Sequence, residues 1–167
     1  MKSDFMFTHP KRFYQGFTLI ELMIVIAIAA ILMSTAVPAM KTFTLNKQAS
    51  SLLRELQQDI VYARNQAISS SENVTLRPLA NNWDNGWEIL QDTTVILTRG
   101  STNSPIAETG TISSGYTLTN PLIFDRRGRS STSDSIKIDV AGCTGNREYT
   151  LSINNIGQVI VVTSTCS

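Results

Sequence analysis

The chain has 167 residues, with 14 Lys and Arg against 13 Asp and Glu, one His and two Cys. That length allows one domain, with or without an appendage, and room for a hydrophobic core, while the near-zero net charge excludes strong non-specific attraction of the whole chain to nucleic acid or anionic lipid. Charged residues make up only 16%, against about 25% in ordinary soluble domains, and the lone His9 with the pair Cys143 and Cys166 restricts catalytic and metal chemistry.

The averages hide an uneven chain. Between Arg12 and Lys41 the single charged residue is Glu21. The run from Phe17 to Met40 is apolar and 24 residues long, about 36 Å as a helix and enough to cross a bilayer core of about 30 Å. Lys2, Lys11 and Arg12 precede it against Asp4, so that end stays cytoplasmic and the C-terminal bulk is exported. Three readings fit these residues. The first is a cleaved secretory signal, with Ser34-Thr35-Ala36 as a poor cleavage site. The second is a plain anchor, and the third an anchor whose acid has a partner. A carboxylate in the bilayer costs roughly 2.5–3.5 kcal/mol on insertion scales, and only the third reading gives Glu21 a reason to be there.

Pro38 lacks a backbone donor and is expected to kink the helix rather than end it. Beyond it, Ala49, Leu52, Leu53, Leu56, Ile60, Ala63 and Ala67 recur at spacings of three and four. Arg54, Gln58, Asp59 and Asn65 are expected to fill the opposite, solvated face. Ser69-Ser70-Ser71 and Asn73 end the helix. Strands are expected at 74–77, 86–90, 94–98, 116–118, 122–124, 135–140, 148–153 and 159–163, with turn chemistry at Asn81-Asn82 and Asp84-Asn85-Gly86. Gly100 to Gly115 reads as a polar loop, and Asn154-Asn155-Ile156-Gly157 as the hairpin turn joining the last two strands. No strand alternates regularly with a helix, so the fold class is α+β, one long helix over antiparallel sheet.

Gly16-Phe17-Thr18-Leu19-Ile20-Glu21-Leu22 resembles the signal of type IV prepilins and type II secretion pseudopilins. The resemblance implies a leader over residues 1–16, cleaved after Gly16 by a prepilin peptidase that also methylates Phe17. It implies a helix over 17–71 whose 17–40 part spans the inner membrane and later lines a filament core, and a periplasmic β-rich head over 72–167. Pro38 falls at the family's usual kinking proline. Glu21 becomes the fifth mature residue, which in that family is thought to neutralise the N-terminal amine of a neighbouring subunit, as a buried charge requires. Tyr62-Ala-Arg-Asn-Gln-Ala-Ile68, Val74-Thr-Leu76, Trp83-Asp-Asn-Gly-Trp-Glu-Ile89 and Ile123-Phe-Asp-Arg-Arg-Gly-Arg129 follow in the order of the GspH/FimT domain, so the chain resembles that family of minor pilins and minor pseudopilins. The implied partners are other minor pilins, the major pilin, the processing enzyme and the inner membrane. The implied role is priming of assembly or membership of a tip complex, in a pilus or alternatively in a type II secretion system.

Cys143 and Cys166 lie in the exported part, where an even pair reads as a disulfide. Arg126, Arg127 and Arg129 form the one local basic cluster, read as a subunit contact or solvated turn, with DNA capture as the alternative. DNA-binding members of the family carry Gly-Arg-x-Arg near the C-terminus, and the matching stretch here is Gly157-Gln158-Val159-Ile160, without the arginines. Trp87 is expected in the core and Trp83 over the helix. Asp84 and Glu88, a turn acid and a strand-surface acid, have no nucleophile to serve. The reading is therefore of a non-enzymatic assembly protein with no cofactor and no metal. Removal of residues 1–16 would take His9 away and leave eleven basic against twelve acidic side chains, a net −1.

Overall fold

The structure, a computed structural model, describes residues 17–166. The leader and Gly16 lie outside the described residues. Helix α1 spans Leu19–Ser70, 52 residues with Pro38 inside it, and the chain divides into two compact units between Ala39 and Met40.

In the first unit the helix is apolar on every side. Leu19, Ile24, Ile28, Leu32 and Val37 are each more than half exposed, and no residue of the apolar window that qualifies as a membrane span is buried. Such an all-round apolar helix needs a non-aqueous surrounding, either lipid or other helices.

In the second unit the helix has a single buried stripe: Ala49, Leu52, Leu56, Ile60, Ala63 and Ala67 are 0–4% exposed. The helix ends where Ser69 and Ser70 both turn their hydroxyls back to the Gln66 carbonyl, and Ser71 enters the left-handed region at φ 59°. Eight strands follow: β1 Val74–Leu79, β2 Asn82–Gln91, β3 Thr94–Gly100, β4 Ile112–Ser114, β5 Leu122–Phe124, β6 Ser135–Ile138, β7 Glu148–Ile153 and β8 Val159–Ser164. They form two four-stranded sheets, ordered β3-β2-β1-β5 and β4-β6-β7-β8, with antiparallel pairing throughout. Alternate residues of β1, β5, β6 and β7 face inward, the period of a half-buried strand. Leu76, Trp87, Phe124, Ile138 and Leu151 join the helix stripe in one core, each such burial contributing about 1.5–3 kcal/mol. The architecture is the α+β one expected.

Four local expectations are corrected. Asp84-Asn85-Gly86 is no turn, because β2 runs straight through it. Gly86 sits at φ 110° opposite Gly100, where an added Cβ would lie 1.9 Å from the Arg99 carbonyl oxygen, so the glycine serves strand approach. Residues 116–118 are not a strand. Tyr116 instead buries its ring, and its hydroxyl donates to the Asp134 carbonyl at 3.2 Å and accepts the Asp134 N–H at 2.9 Å, burial pushing the phenol pKa up. The stretch between Gly100 and Gly115 contains β4 and is organised by Asp84: the carboxylate accepts the N–H of Gly110 at 2.6 Å and of Ile112 at 2.7 Å, and the Asp84 carbonyl accepts those of Ile106 and Ala107. A buried acid spent on backbone donors replaces the surface turn acid that the composition suggested.

The fourth correction is Asp59, expected on the polar face and found 3% exposed. It lies three residues after Leu56 and four before Ala63, on the buried stripe itself. Oδ2 accepts Trp87 Nε1–H at 2.9 Å and Arg99 Nε–H at 2.8 Å, and Oδ1 accepts from Arg99 Nη2 at 3.2 Å. That hydrogen-bonded pairing holds the Arg99 pKa above its usual value and makes the buried charge tolerable. One carboxylate thus bolts α1 to β2 and β3.

Candidate assembly interface

At the start of α1, Thr18 and Glu21 stand three residues apart and cap one another. Thr18 Oγ1 accepts the Glu21 N–H at 3.2 Å, and the Thr18 N–H reaches Glu21 Oε2 at 3.5 Å. This capping box satisfies amide donors that helix geometry leaves without partners, and a carboxylate also suits the positive end of the helix dipole. Phe17, just before it, is 84% exposed. The first unit therefore presents an apolar rod with one carboxylate held against its own backbone at the tip. Pro38 lies within the rod, and the helix continues through it.

The head carries the remaining candidates. Cys143 and Cys166 are joined, with Cα atoms 5.7 Å apart. The loop around Cys143 rests on the helix: Asn46 exchanges hydrogen bonds with Thr144 (Thr144 N–H to Oδ1 at 2.9 Å, Nδ2 to Thr144 Oγ1 at 3.1 Å), and Arg147 Nη1 donates to Ser50 Oγ at 2.9 Å. Trp83 is buried in the core and donates to the Tyr116 carbonyl at 2.9 Å. Glu88 pairs with Arg77 at 2.7 Å, and Asp84 is spent on amides, so the two acids form no pair.

Arg126, Arg127 and Arg129 are exposed on a tight turn after β5. Asp125 Oδ1 accepts the N–H groups of Arg127 at 2.8 Å and Arg129 at 2.9 Å. The bond from the Arg129 amide is the chief reason its carboxyl titrates below its usual value. Arg64 of α1 holds the turn from behind, donating from Nε to the Gly128 carbonyl at 2.9 Å and from Nη2 to the Ile156 carbonyl at 3.3 Å. Gly157, in the β7–β8 hairpin, packs so closely that a Cβ would stand 2.0 Å from the Gly128 oxygen. One helix arginine thus clamps the arginine turn and the last hairpin together. Asp59, Arg64, Asn46 and the Thr18 cap were not singled out as functional from the sequence. The cap was legible as Thr-x-x-Glu, and Asp59 by its place on the stripe. The other two depend on contacts 64 to 98 residues away, for which the local sequence carries no signal.

An exposed apolar helix with a capped acid at its tip, continuing into a disulfide-closed α+β head, defines a pilin-like subunit. The family model described as "Type II transport protein GspH" matches residues 52–157, well over half of the chain, and the prokaryotic N-terminal methylation motif matches residues 11–37. The chain belongs to the GspH/FimT family of minor pilins and pseudopilins, whose members are structural components rather than enzymes. Comparison with the curated proteins returned no match. Two crystal structures of the Pseudomonas aeruginosa type IV minor pilin FimU, in space groups P65 and P21, are similar at 22% and 21% identity with a TM-score of 0.48 each. They cover 71% and 75% of this chain and 99% of their own.

Proposed function

We propose that the protein is a minor pilin of a type IV pilus that takes part in priming assembly or in the tip complex. The leader (1–16) is removed after Gly16, Phe17 becomes the methylated N-terminus, and the 17–40 part of the helix waits in the inner membrane with the head in the periplasm. On assembly with other minor pilins and the major pilin, Glu21 exchanges its own Thr18 amide for the N-terminal amine of a neighbour. The observation that carries this reading is a single carboxylate capping an apolar stretch of helix, none of it buried, inside a methylation motif. Mass spectrometry of the protein from the membrane tests the foundation. The expected N-terminus is N-methylated Phe17, and any other start removes it. Glu21→Val should leave processing intact and lower the amount in sheared filaments at least about tenfold, because a neighbour's amine would lose its buried counter-charge.

A second reading, a minor pseudopilin of type II secretion, is favoured by the description of the matching family model. Deletion separates the two: loss of surface pili with normal protein export supports the first, and the converse supports the second.

A further inference from the structure

A cavity of about 750 Å³ opens where α1 ends, and charges of both signs line it: Glu72, Asp92 and Asp125 with Arg126 and Arg127. Its walls are fixed. Glu72 Oε2 accepts Gln91 Nε2 at 2.5 Å, and Gln91 Oε1 accepts Gln66 Nε2 at 2.8 Å. The Asp92 N–H reaches the Asn73 carbonyl at 3.2 Å with Asp92 at φ 53°, and the Asp125 carboxylate is spent on the amides of its own turn. The charges themselves are largely unspent. Ion pairs elsewhere join Arg77 to Glu88, Arg99 to Asp59, and Lys137 to Asp139 and Glu148. Among the described residues, none involves Glu72, Asp92, Arg126 or Arg127.

This pattern selects its occupant by charge. A polyanion would be drawn to Arg126 and Arg127 but repelled by Glu72 and Asp92 across the same opening, and an apolar segment would desolvate all four charges without giving any of them an ionic partner. A protein surface that presents an acid beside a base satisfies both walls, and such juxtaposition sets register and excludes wrong partners. We propose that this cavity is the docking site for a mixed-charge segment of a neighbouring filament subunit, an acid lying against Arg126 and Arg127 and a base against Asp92 and Glu72. The proposal rests on the filament-subunit reading above and adds the chemistry of the contact.

The test uses the full chain in a host lacking its own copy, reading the fraction of the protein recovered in sheared filaments. Arg126→Glu with Arg127→Glu, and separately Glu72→Lys with Asp92→Lys, should each lower that fraction by about tenfold, since each sets like charges face to face. Arg126→Lys with Arg127→Lys should retain most of it. Thermal unfolding of each variant checks that the head is intact. The same proteins in detergent are titrated with a labelled DNA duplex. If the wild-type chain binds the duplex and Arg126→Glu with Arg127→Glu abolishes that binding while leaving incorporation unchanged, the cavity belongs to nucleic acid and the proposal is overturned. Unchanged incorporation in either reversal also overturns it, with the filament reading left standing. Absence of the wild-type chain from filaments overturns both readings together.

Discussion

The two halves of α1 are built from the same backbone and carry opposite surface patterns. Before Ala39 every side of the helix is apolar, and the only acid is folded back onto the first turn. After Met40 one stripe is buried, and an acid sits in the middle of that stripe, paired with Arg99 and Trp87. A carboxylate is tolerated in both halves on the same condition, a hydrogen-bonded partner, but the partners have different permanence. Thr18 is a local and replaceable partner for Glu21. Arg99 and Trp87 are locked by the sheet. The contrast separates an acid capped by its own first turn from an acid that fastens a fold.

Substitutions can break that contrast from either side. The largest effect on the head is expected from removing its staple. Cys143→Ser with Cys166→Ser frees a closed loop with a sequence separation of 23, which the chain-entropy account values at roughly 3.5 kcal/mol. Denaturant unfolding of the head should shift accordingly, with membrane insertion unchanged. Next comes Asp59→Ala, which leaves Trp87 Nε1 without an acceptor and Arg99 without its counter-charge, at a cost of about 3 kcal/mol. An equal loss from Glu55→Ala, an acid only partly buried, would erase the distinction between a fastening acid and an ordinary one on this helix. Thr18→Ala removes one half of the cap and should weaken the helix start by about 1 kcal/mol. Amide hydrogen exchange at Glu21 and Leu22 in micelles should quicken, while the melting of the head stays put.

The smallest effect is a pH dependence confined to the head. Asp125 and Glu148 both titrate below the ordinary carboxylate range. The cause for Asp125 is chiefly the Arg129 amide, and for Glu148 the Ser164 hydroxyl and then Lys137. A carboxyl depressed in the folded state stabilises it above the unfolded pKa near 4 and loses that contribution as the pH falls through the folded value. Melting should therefore be flat from neutral pH to about 5 and decline below about 4, and Glu148→Gln should flatten part of the decline.

The sequence made the outline of the fold legible because periodicity survives at a distance from any contact. The stripe from Ala49 to Ala67, the alternation in Val74–Leu79 and Glu148–Ile153, and the glycine hairpin at 154–157 are local patterns with local causes. Residues whose role is set by a distant partner carry no such local pattern. Asp84 lies in a stretch that looks like turn chemistry and becomes a buried anchor only because Gly110 and Ile112 come to it. Tyr116 has strand-forming neighbours and is held instead by Asp134. Within the candidate site, the arginine turn could be read directly from Asp-Arg-Arg-Gly-Arg, whereas its clamp by Arg64 and its place beside Glu72 and Asp92 depend on the tertiary fold.

β8 has a hydrogen-bonded neighbour on one side only, which would ordinarily make it the strand easiest to unzip. One end, however, is closed by the Asn154–Gly157 turn that Arg64 grips through the Ile156 carbonyl. The other is closed by Cys166, bonded to a loop that Asn46 holds on the helix. A strand tethered at both ends cannot peel one bond at a time from a loose tip. It must shear several rungs at once or open from its middle. A pull on this edge would therefore meet resistance shared along the strand, with the helix taking the load at Asn46 and Arg64.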